Sequence, residues 1–397
     1  MNNIKISSLG PIQEANINFG DLTILVGSQA SGKSILLQLI KLVVDKNHIK
    51  KTLEQYGYIW GNEADLILDR FLGEGMSSIW NKQTDIIFEG KPFTKESLIP
   101  QRGRKEKNEN KEELIFYIPA QRVICLNNGW PRFFTDYEDS VPYVLRYFSE
   151  TLRQLLENGI LSTNTKNDII FPQTQRLKES LRDSFNESIF HDSKIVLDKS
   201  VKKRLKLSID NHDGLPPSSI PFMAWSAGQK EFMPLLLSFY WLCPPSKVTR
   251  KDAIKCVIIE EPEMGLHPQA IESVILQVLD LLARDYKVII STHSPVLLEF
   301  TWAFNLLKET KARDEVFFEL FKVKKTPAFS RLFKGLLKNK QLKTYYFDRV
   351  GNKTSVKDIS SLDAGAEDIA ISEWGGLSSF ASKASNIVSK SVANETF

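Results

Sequence analysis

The sequence predicts an α/β fold organised on a parallel sheet, and three stretches carry that prediction. Gly27–Ser34 reads GSQASGKS, a match to GxxxxGK[ST], with an apolar run before it (Leu22–Val26) and helical apolar spacing after it (Ile35–Val44). Strand, glycine-rich turn and helix is the setting in which such a string cradles phosphate rather than merely turning the chain. Cys256–Glu260 and Tyr286–Ile290 are short β-branched apolar runs with a helical pattern between them, as expected of parallel strands buried on both faces.

Taken in order, residues 3–26 read as three strands punctuated by Gly10-Pro11 and Gly20-Asp21. Residues 53–98 mix strand-like runs (Ser78–Trp80, Asp85–Glu89) with turns, and Arg102–Glu113 is a charged, Asn-rich stretch expected to form an exposed loop. Leu114–Ile118 reads as a buried strand ending at Pro119-Ala120-Gln121-Arg122. Residues 143–192 carry two helical patterns, 194–208 a basic hairpin, and 211–221 a Gly- and Pro-rich loop. Beyond residue 300 the pattern is mixed. Residues 321–345 hold eight Lys or Arg and no Asp or Glu, interleaved with Phe321, Phe329, Phe333 and Tyr345. Two readings stay open there: a surface for nucleic acid or an acidic protein, or the solvated face of an amphipathic helix. Trp374, alone among small residues, either anchors a neighbouring chain or plugs this chain's own core.

The composition, 42% hydrophobic and 25% charged, is ordinary for a soluble globular protein, and a net charge of +4 demands neither nucleic acid nor an anionic membrane. Cys125, Cys243 and Cys256 are far apart and form no CxxC, which suits a reducing compartment and argues against a cysteine metal site. The N-terminus lacks a signal-peptide pattern, and the longest greasy stretch, Pro234–Cys243, is too short to span a bilayer. The expectation is a cytoplasmic protein with no membrane partner.

The chemistry of the first motif follows from its residue types. The backbone N–H groups of Gly27, Ser28, Gln29, Ala30, Ser31 and Gly32 can converge on phosphate oxygens, aided by the positive end of the following helix. Lys33 can reach the β- and γ-phosphates, and the Ser34 hydroxyl can ligate Mg²⁺. Glu260 and Glu261 end an apolar strand; Glu260 is expected on the magnesium side and Glu261 beside the attacking water. His293, in Ser291-Thr292-His293-Ser294-Pro295, ends another strand and is read as a γ-phosphate sensor. Trp225–Glu231 (WSAGQKE) precedes a long apolar helix with Ser226 in the N-cap place. Its hydroxyl, Gly228 and Gln229 offer a second phosphate surface. One chain already supplies its phosphates with a P-loop, so this surface makes sense against the nucleotide of another copy.

GSQASGKS, WSAGQKE, VIIEEPEMGLHP and STHSP together resemble the soluble SMC/Rad50/OLD branch of ABC-type ATPases, well over residues 1–45 and 220–300 and elsewhere by position. The resemblance implies an ABC-type P-loop ATPase head: a mixed β lobe, a parallel core sheet and a short helical insertion. It implies ATP and Mg²⁺ as ligands and a head-to-tail dimer with two ATP molecules between P-loop and signature. It also implies a cross-dimer role for Leu266-His267-Pro268 and a Mg²⁺ contact from Gln121, with two alternatives open: Arg122 as the functional residue, or both residues capping a turn. Two departures are Ser-Ala-Gly-Gln in the signature and Glu in place of the Walker B aspartate. The division expected is 1–125 (N-terminal lobe), 126–220 (helical and hairpin insertion), 221–300 (signature, Walker B and His-loop lobe) and 301–397 (C-terminal extension, a partner surface).

What is missing narrows the expectation. About 100 residues separate Gln121 from Ser226, without sustained heptads, so there is no long coiled coil. No Asp-x-Asp occurs, and no nuclease is expected in this polypeptide. A stand-alone ATPase of this kind resembles the ATPase subunits of two-gene anti-phage systems, AriA-like of PARIS first and PtuA-like of Septu second. In those systems a separate Toprim or HNH nuclease is the effector. The alternative is a repair or recombination ATPase that binds DNA itself.

Overall fold

A computed structural model describes residues 1–100, 111–160, 168–210, 217–243 and 253–395. The N-terminal part supplies β1 (Asn3–Leu9), β2 (Ile12–Asn18), β3 (Leu22–Gly27), helices α1 (Lys33–Gln55) and α2 (Ala64–Leu72), then β4 (Trp80–Phe88), β5 (Lys91–Pro92) and β6 (Ile115–Ile118). The insertion holds a two-stranded ribbon, β7 (Leu126–Asn127) and β8 (Trp130–Pro131), and helices α3 (Tyr143–Gln154) and α4 (Glu179–Phe185). Its four-stranded antiparallel sheet is β9 (Ile169–Phe171), β10 (Lys194–Asp198), β11 (Arg204–Ile209) and β12 (Ser218–Pro221). Then come α5 (Ala227–Leu242), β13 (Cys256–Glu260), α6 (Pro268–Ala283), β14 (Lys287–Thr292) and α7 (Pro295–Glu309). The chain continues through α8 (Glu315–Phe321), α9 (Pro327–Asn339), β15 (Leu342–Val350), β16 (Lys353–Asp358), α10 (Ile369–Ser372) and α11 (Ser379–Glu395).

The main sheet has ten strands in the order β5-β4-β1-β2-β16-β15-β3-β14-β13-β6. Five neighbours, β15, β3, β14, β13 and β6, are mutually parallel, and the strands from β5 to β2 form an antiparallel lobe. The α/β class, with a mixed β lobe beside a parallel core, is therefore as predicted. The core lies on both faces, because successive side chains of a strand alternate. Ile24 and Val26 enter one apolar cluster, under α5 and α6, while Leu25 enters the other, under α1.

Several stretches differ from the sequence reading. Residues 53–98 contain α2, whose buried stripe of Ile67, Leu68, Phe71 and Leu72 has helical spacing in a segment too short to stand out. Ser218–Pro221, read as loop, forms β12 by pairing with β11. The expected loop at 102–113 falls mostly on residues 101–110, and that at 211–221 partly on 211–216, outside the described residues. Residues 301–397, read as an extension, send β15 and β16 into the main sheet beside β3 and β2. The basic segment resolves into the amphipathic α9, which buries Phe329, Leu332, Phe333 and Leu336. Trp374 packs against its own chain's core, and its indole N–H donates to the Leu362 carbonyl at 2.9 Å. Among the described residues no helix is long and apolar enough to cross a membrane, and Cys125, Cys243 and Cys256 are free and buried.

A buried ion cluster fixes α1 to the start of β6. Lys41 donates to Asp45 (2.7 Å), Glu113 (2.8 Å) and the Ile115 carbonyl (2.5 Å). Burial alone would lower the Lys41 pKa, but Asp45 and Glu113 more than offset it and hold it above its ordinary value. Asp45 leaves helical geometry (φ −108°, ψ 19°) and its carboxylate accepts from the Leu114 and Ile115 N–H groups at 2.9 and 3.0 Å. Asp45→Ala would strand a buried ammonium with one carboxylate and leave two strand N–H groups without an acceptor. It should cost about 3 kcal/mol, read as a lowered denaturant midpoint in chemical unfolding.

Candidate active site

Parallel register brings four motifs to one edge of the sheet. Val26 pairs with Thr292, Glu260 with Ser291, and Ile118 with Ile259. The chain beyond each strand therefore leaves at the same level: the phosphate loop after β3, His293 after β14, Glu261 after β13, and Pro119–Arg122 after β6.

The loop from Gly27 to Gly32 has left-handed or positive φ at Gly27 (149°), Ala30 (56°) and Gly32 (100°). Gly27 is required sterically as well, since a Cβ there would lie 2.7 Å from the Phe347 carbonyl oxygen of β15. Ser28, Gln29 and Ala30 are exposed, and Ser31 and Gly32 are buried. Arg349, near the end of β15, donates to the Ala30 carbonyl at 2.8 Å and supports the loop from outside. Helix α1 starts at Lys33 with no side-chain cap and no acid in its first turn, so its positive end stays available to an anion.

Lys33 is buried and donates to the Gly27 and Ser28 carbonyls at 2.8 and 2.9 Å. Burial lowers its pKa to about 8, against the opposing pull of Glu261, Glu263 and Glu260. Glu260 is only 5% exposed and accepts from the Ala120 N–H at 3.3 Å. Burial raises its pKa, and the nearby Ser34 hydroxyl, Ala120 N–H and Tyr117 hydroxyl pull it back. Its Oε1 is buried without a hydrogen-bond partner.

That orphaned carboxylate oxygen beside Ser34 fits Mg²⁺, a hard cation that takes oxygen ligands and commonly shares one or two protein groups with substrate phosphates. Among the described residues no group of three His, Cys, Asp or Glu would hold a metal by protein ligands alone. Gln121 is exposed and caps a one-turn 3-10 helix, Arg122–Cys125, that follows β6.

Glu261 has φ 43°, and its N–H donates to the Ser291 carbonyl at 2.8 Å. Its Oε1 lies 3.5 Å from His293 Nε2, both side chains about one-third exposed. Burial and Lys33 push the His293 pKa below its ordinary value while Glu261 opposes them, so the ring is neutral at neutral pH.

Two residues that the sequence reading left without a definite role shape this edge. Glu263 is half-buried and accepts from Thr292 Oγ1 (2.8 Å) and the His293 N–H (2.6 Å), tying the His-loop to the turn after β13. Arg122, weighed only as an alternative to Gln121, is fully buried. It donates to the carbonyls of Glu231, Glu260, Glu261 and Pro262 at 3.0–3.3 Å. The only sequence sign of either was its closeness to a motif.

The signature segment forms a capping box. Ser226 Oγ accepts from the Gln229 N–H at 3.3 Å, and the Gln229 side chain accepts from the Ser226 N–H at 3.2 Å. Gln229 also donates to the Ile189 carbonyl, so both ends of its amide are engaged within the chain. Ser226 is exposed. A Cβ on Gly228 would lie 2.8 Å from the Gly265 carbonyl oxygen, so the signature helix packs closely on the turn before Leu266-His267-Pro268. His267 caps α6, its Nδ1 accepting from the Gln269 N–H at 3.3 Å.

The family "AAA domain, putative AbiEii toxin, Type IV TA system" matches residues 22–299, from β3 into α7. The chain belongs to this AAA-domain family. The match contains the phosphate loop, the signature segment, both strand-tip carboxylates and His293, and the family places the chain among P-loop ATPases. Among curated proteins none matches. The similar solved structures include the following three. One is an SMC head bound to the C-terminal winged-helix domain of ScpA (10% identity, 90% of this chain and 96% of that one, TM-score 0.39). Another is the SMC head domain from Thermotoga maritima (11%, 90% and 98%, 0.35). The third is the dimeric structure of MJ0796, a bacterial ABC transporter cassette (10%, 73% and 88%, 0.30).

In this AAA-domain protein the lowered Lys33 pKa has a measurable consequence. Near pH 8 about half of the free chain's Lys33 is neutral, and a bound polyphosphate would favour the protonated form. ATP binding at pH 8 should therefore take up about half a proton, falling toward zero at pH 6.5. Calorimetry in buffers of different ionisation enthalpy reads this, and Lys33→Met should remove it.

Proposed function

We propose that this chain is an ATP-binding and ATP-hydrolysing switch that closes head to tail around two ATP molecules and passes that state to a separate effector protein. The observation that carries the reading is the meeting of Lys33, at the start of α1, with Glu260, Glu261 and His293 at the tips of adjacent parallel strands. In this proposal Lys33 leaves the Gly27 and Ser28 carbonyls for phosphate oxygens, and the loop N–H groups hold the β-phosphate. Ser34 and Glu260 would hold Mg²⁺, with Gln121 as the further oxygen donor that the motif resemblance implies, and the bound ion would supply neutralisation of phosphate charge. Glu261 takes the proton of the attacking water, and neutral His293 donates from Nε2 toward the γ-phosphate.

The signature serine completes the site from a second copy. Ser226 stands exposed at the start of α5, with the helix's N-terminal N–H groups behind it. Gly228, pressed on Gly265, carries the position of a docked phosphate to the turn that holds Glu261 and Glu263. The effector reading rests on the motif resemblance to AriA-like and PtuA-like subunits and on the family's toxin–antitoxin description, which also denotes a two-component system. We propose a Toprim or HNH nuclease as that effector, in anti-phage defence. Co-purification with the product of the adjacent gene tests it, and a chain that purifies without any partner protein in both the ATP-bound and nucleotide-free states would favour a repair ATPase instead.

Mg²⁺-dependent ATP turnover should vanish in Lys33→Ala. Glu261→Gln should still bind ATP and accumulate the closed dimer while turnover falls at least ~100-fold; Glu260→Gln should instead weaken Mg²⁺-ATP binding. Nucleotide affinities of both variants decide the roles, and the reverse pattern would exchange them.

Ser226→Arg and Lys33→Ala chains should each be inactive alone. Mixed, they place both lesions in one composite site and leave the other intact, so part of the activity should return. A nucleotide-bound structure with Ser226 on the same chain's ATP as Lys33 would refute the shared site.

A further inference from the structure

A groove of about 870 Å³ lies where three segments of the insertion meet: the β7–β8 ribbon, the turn between β10 and β11, and the chain after β12. Its framework is tightly built. Gly129, at the ribbon's tip (φ 82°), accepts from the Leu205 N–H at 2.9 Å, and a Cβ there would lie 2.8 Å from Phe222 Cβ. Among the described residues no carboxylate lines the groove, but Lys202, Lys203 and Arg204 do. Asp198 already holds Arg204 at 3.0 Å, which leaves Lys202 and Lys203 to carry the free positive charge. Lys203 Nζ sits 5.7 Å over the half-buried Trp130 ring. The exposed amides of Asn127 and Asn128 complete the wall.

We propose that this groove binds single-stranded nucleic acid. A cation resting on an aromatic ring is what an unpaired strand can exchange with: Lys203 leaves the Trp130 face for a phosphate, a base takes its place on the ring, and Lys202 meets a second phosphate. A duplex keeps its base faces stacked and could not use Trp130. An acidic peptide would satisfy the lysines but leave Trp130 and the two amides without a role.

The walls of the groove continue along the chain into both halves of the nucleotide site proposed above, on which its role as an input depends. The ribbon begins directly after Arg122–Cys125, the turn whose arginine holds the carbonyls of Glu260 and Glu261. On the other side Phe222 packs at a tilt against Trp225 (ring centroids 5.0 Å, interplanar angle 59°), the residue before Ser226. A strand that shifts either wall acts on one half of the ATP site.

Fluorescence anisotropy of a labelled oligo-dT strand with the full, nucleotide-free chain tests the binding. Saturable binding is expected. Lys202→Ala/Lys203→Ala should weaken it about 10-fold or more near 0.1 M salt and reduce the salt slope by about 1.4, two phosphate contacts at ~0.7 each. Trp130→Ala should weaken it by roughly 5- to 150-fold, the loss of one stacked base. The lysines lie on an exposed hairpin turn, so the double variant should keep the wild-type thermal midpoint and basal ATP turnover. Unchanged affinity in that variant, or tighter binding of polyglutamate or of duplex DNA, would overturn the site. Saturating strand should change wild-type ATP turnover but not that of the double variant; no change in wild type would overturn the input role. Because binding is read without nucleotide, loss of the groove and loss of the ATPase reading are told apart.

Discussion

The parallel alignment of β15, β3, β14, β13 and β6 is the constraint on which everything else depends. Parallel strands of matched register finish together, and their exits form one crevice at the carboxyl end of the sheet. Here that crevice collects a lysine, three glutamates and a histidine contributed by segments far apart in sequence. A slip by one residue in β13 would turn Glu260 to the other face of the sheet. The nearly continuous apolar character of these strands is thus what holds the chemistry in place.

Around that crevice the chain spends charge on backbone rather than on other side chains. Arg122 gives its donors to four carbonyls of two segments, the signature helix and the turn after β13. Burial pushes its pKa down, while Glu231, Glu263, Glu261 and Glu260 hold it up, so the charge persists. A guanidinium can do this because its donors lie in a rigid plane; an ammonium on the same stem could not span the four acceptors. The signature helix and the carboxylate turn are therefore one mechanical unit. Arg349 does the same between β15 and the phosphate loop, whereas Lys41 ties α1 to β6 through the Asp45 and Glu113 carboxylates as well as the Ile115 carbonyl.

Much of this was legible in the sequence because it is local. GSQASGKS carries its own strand and helix, and β13 and β14 announce themselves as runs of Val and Ile. What escaped was set by distant partners. Strand β15 includes Lys343, Thr344, Asp348 and Arg349, a mixed pattern that becomes a strand only because β3 stands beside it. Ser218–Pro221 likewise becomes a strand only through β11. The burial of Arg122 and the tie from half-buried Glu263 to the His-loop follow from packing that no window of sequence contains. Site types were readable at motif positions; the residues that support them were not.

The position of β15 also bears on how the chain comes to be folded as it is made. Residues 22–27 pair on one side with 287–292 and on the other with 342–347, so the phosphate-loop strand has no neighbours until the ribosome has passed most of the sequence. At about 5–20 residues per second that wait is roughly 15–60 s. During it the strand that later carries the phosphate loop offers two open edges and a fully apolar face, the usual targets of a chaperone. A translation product stopped before residue 342 would pair the phosphate-loop strand with β14 on one edge and leave its other edge open where β15 belongs, without the strand that packs against Gly27.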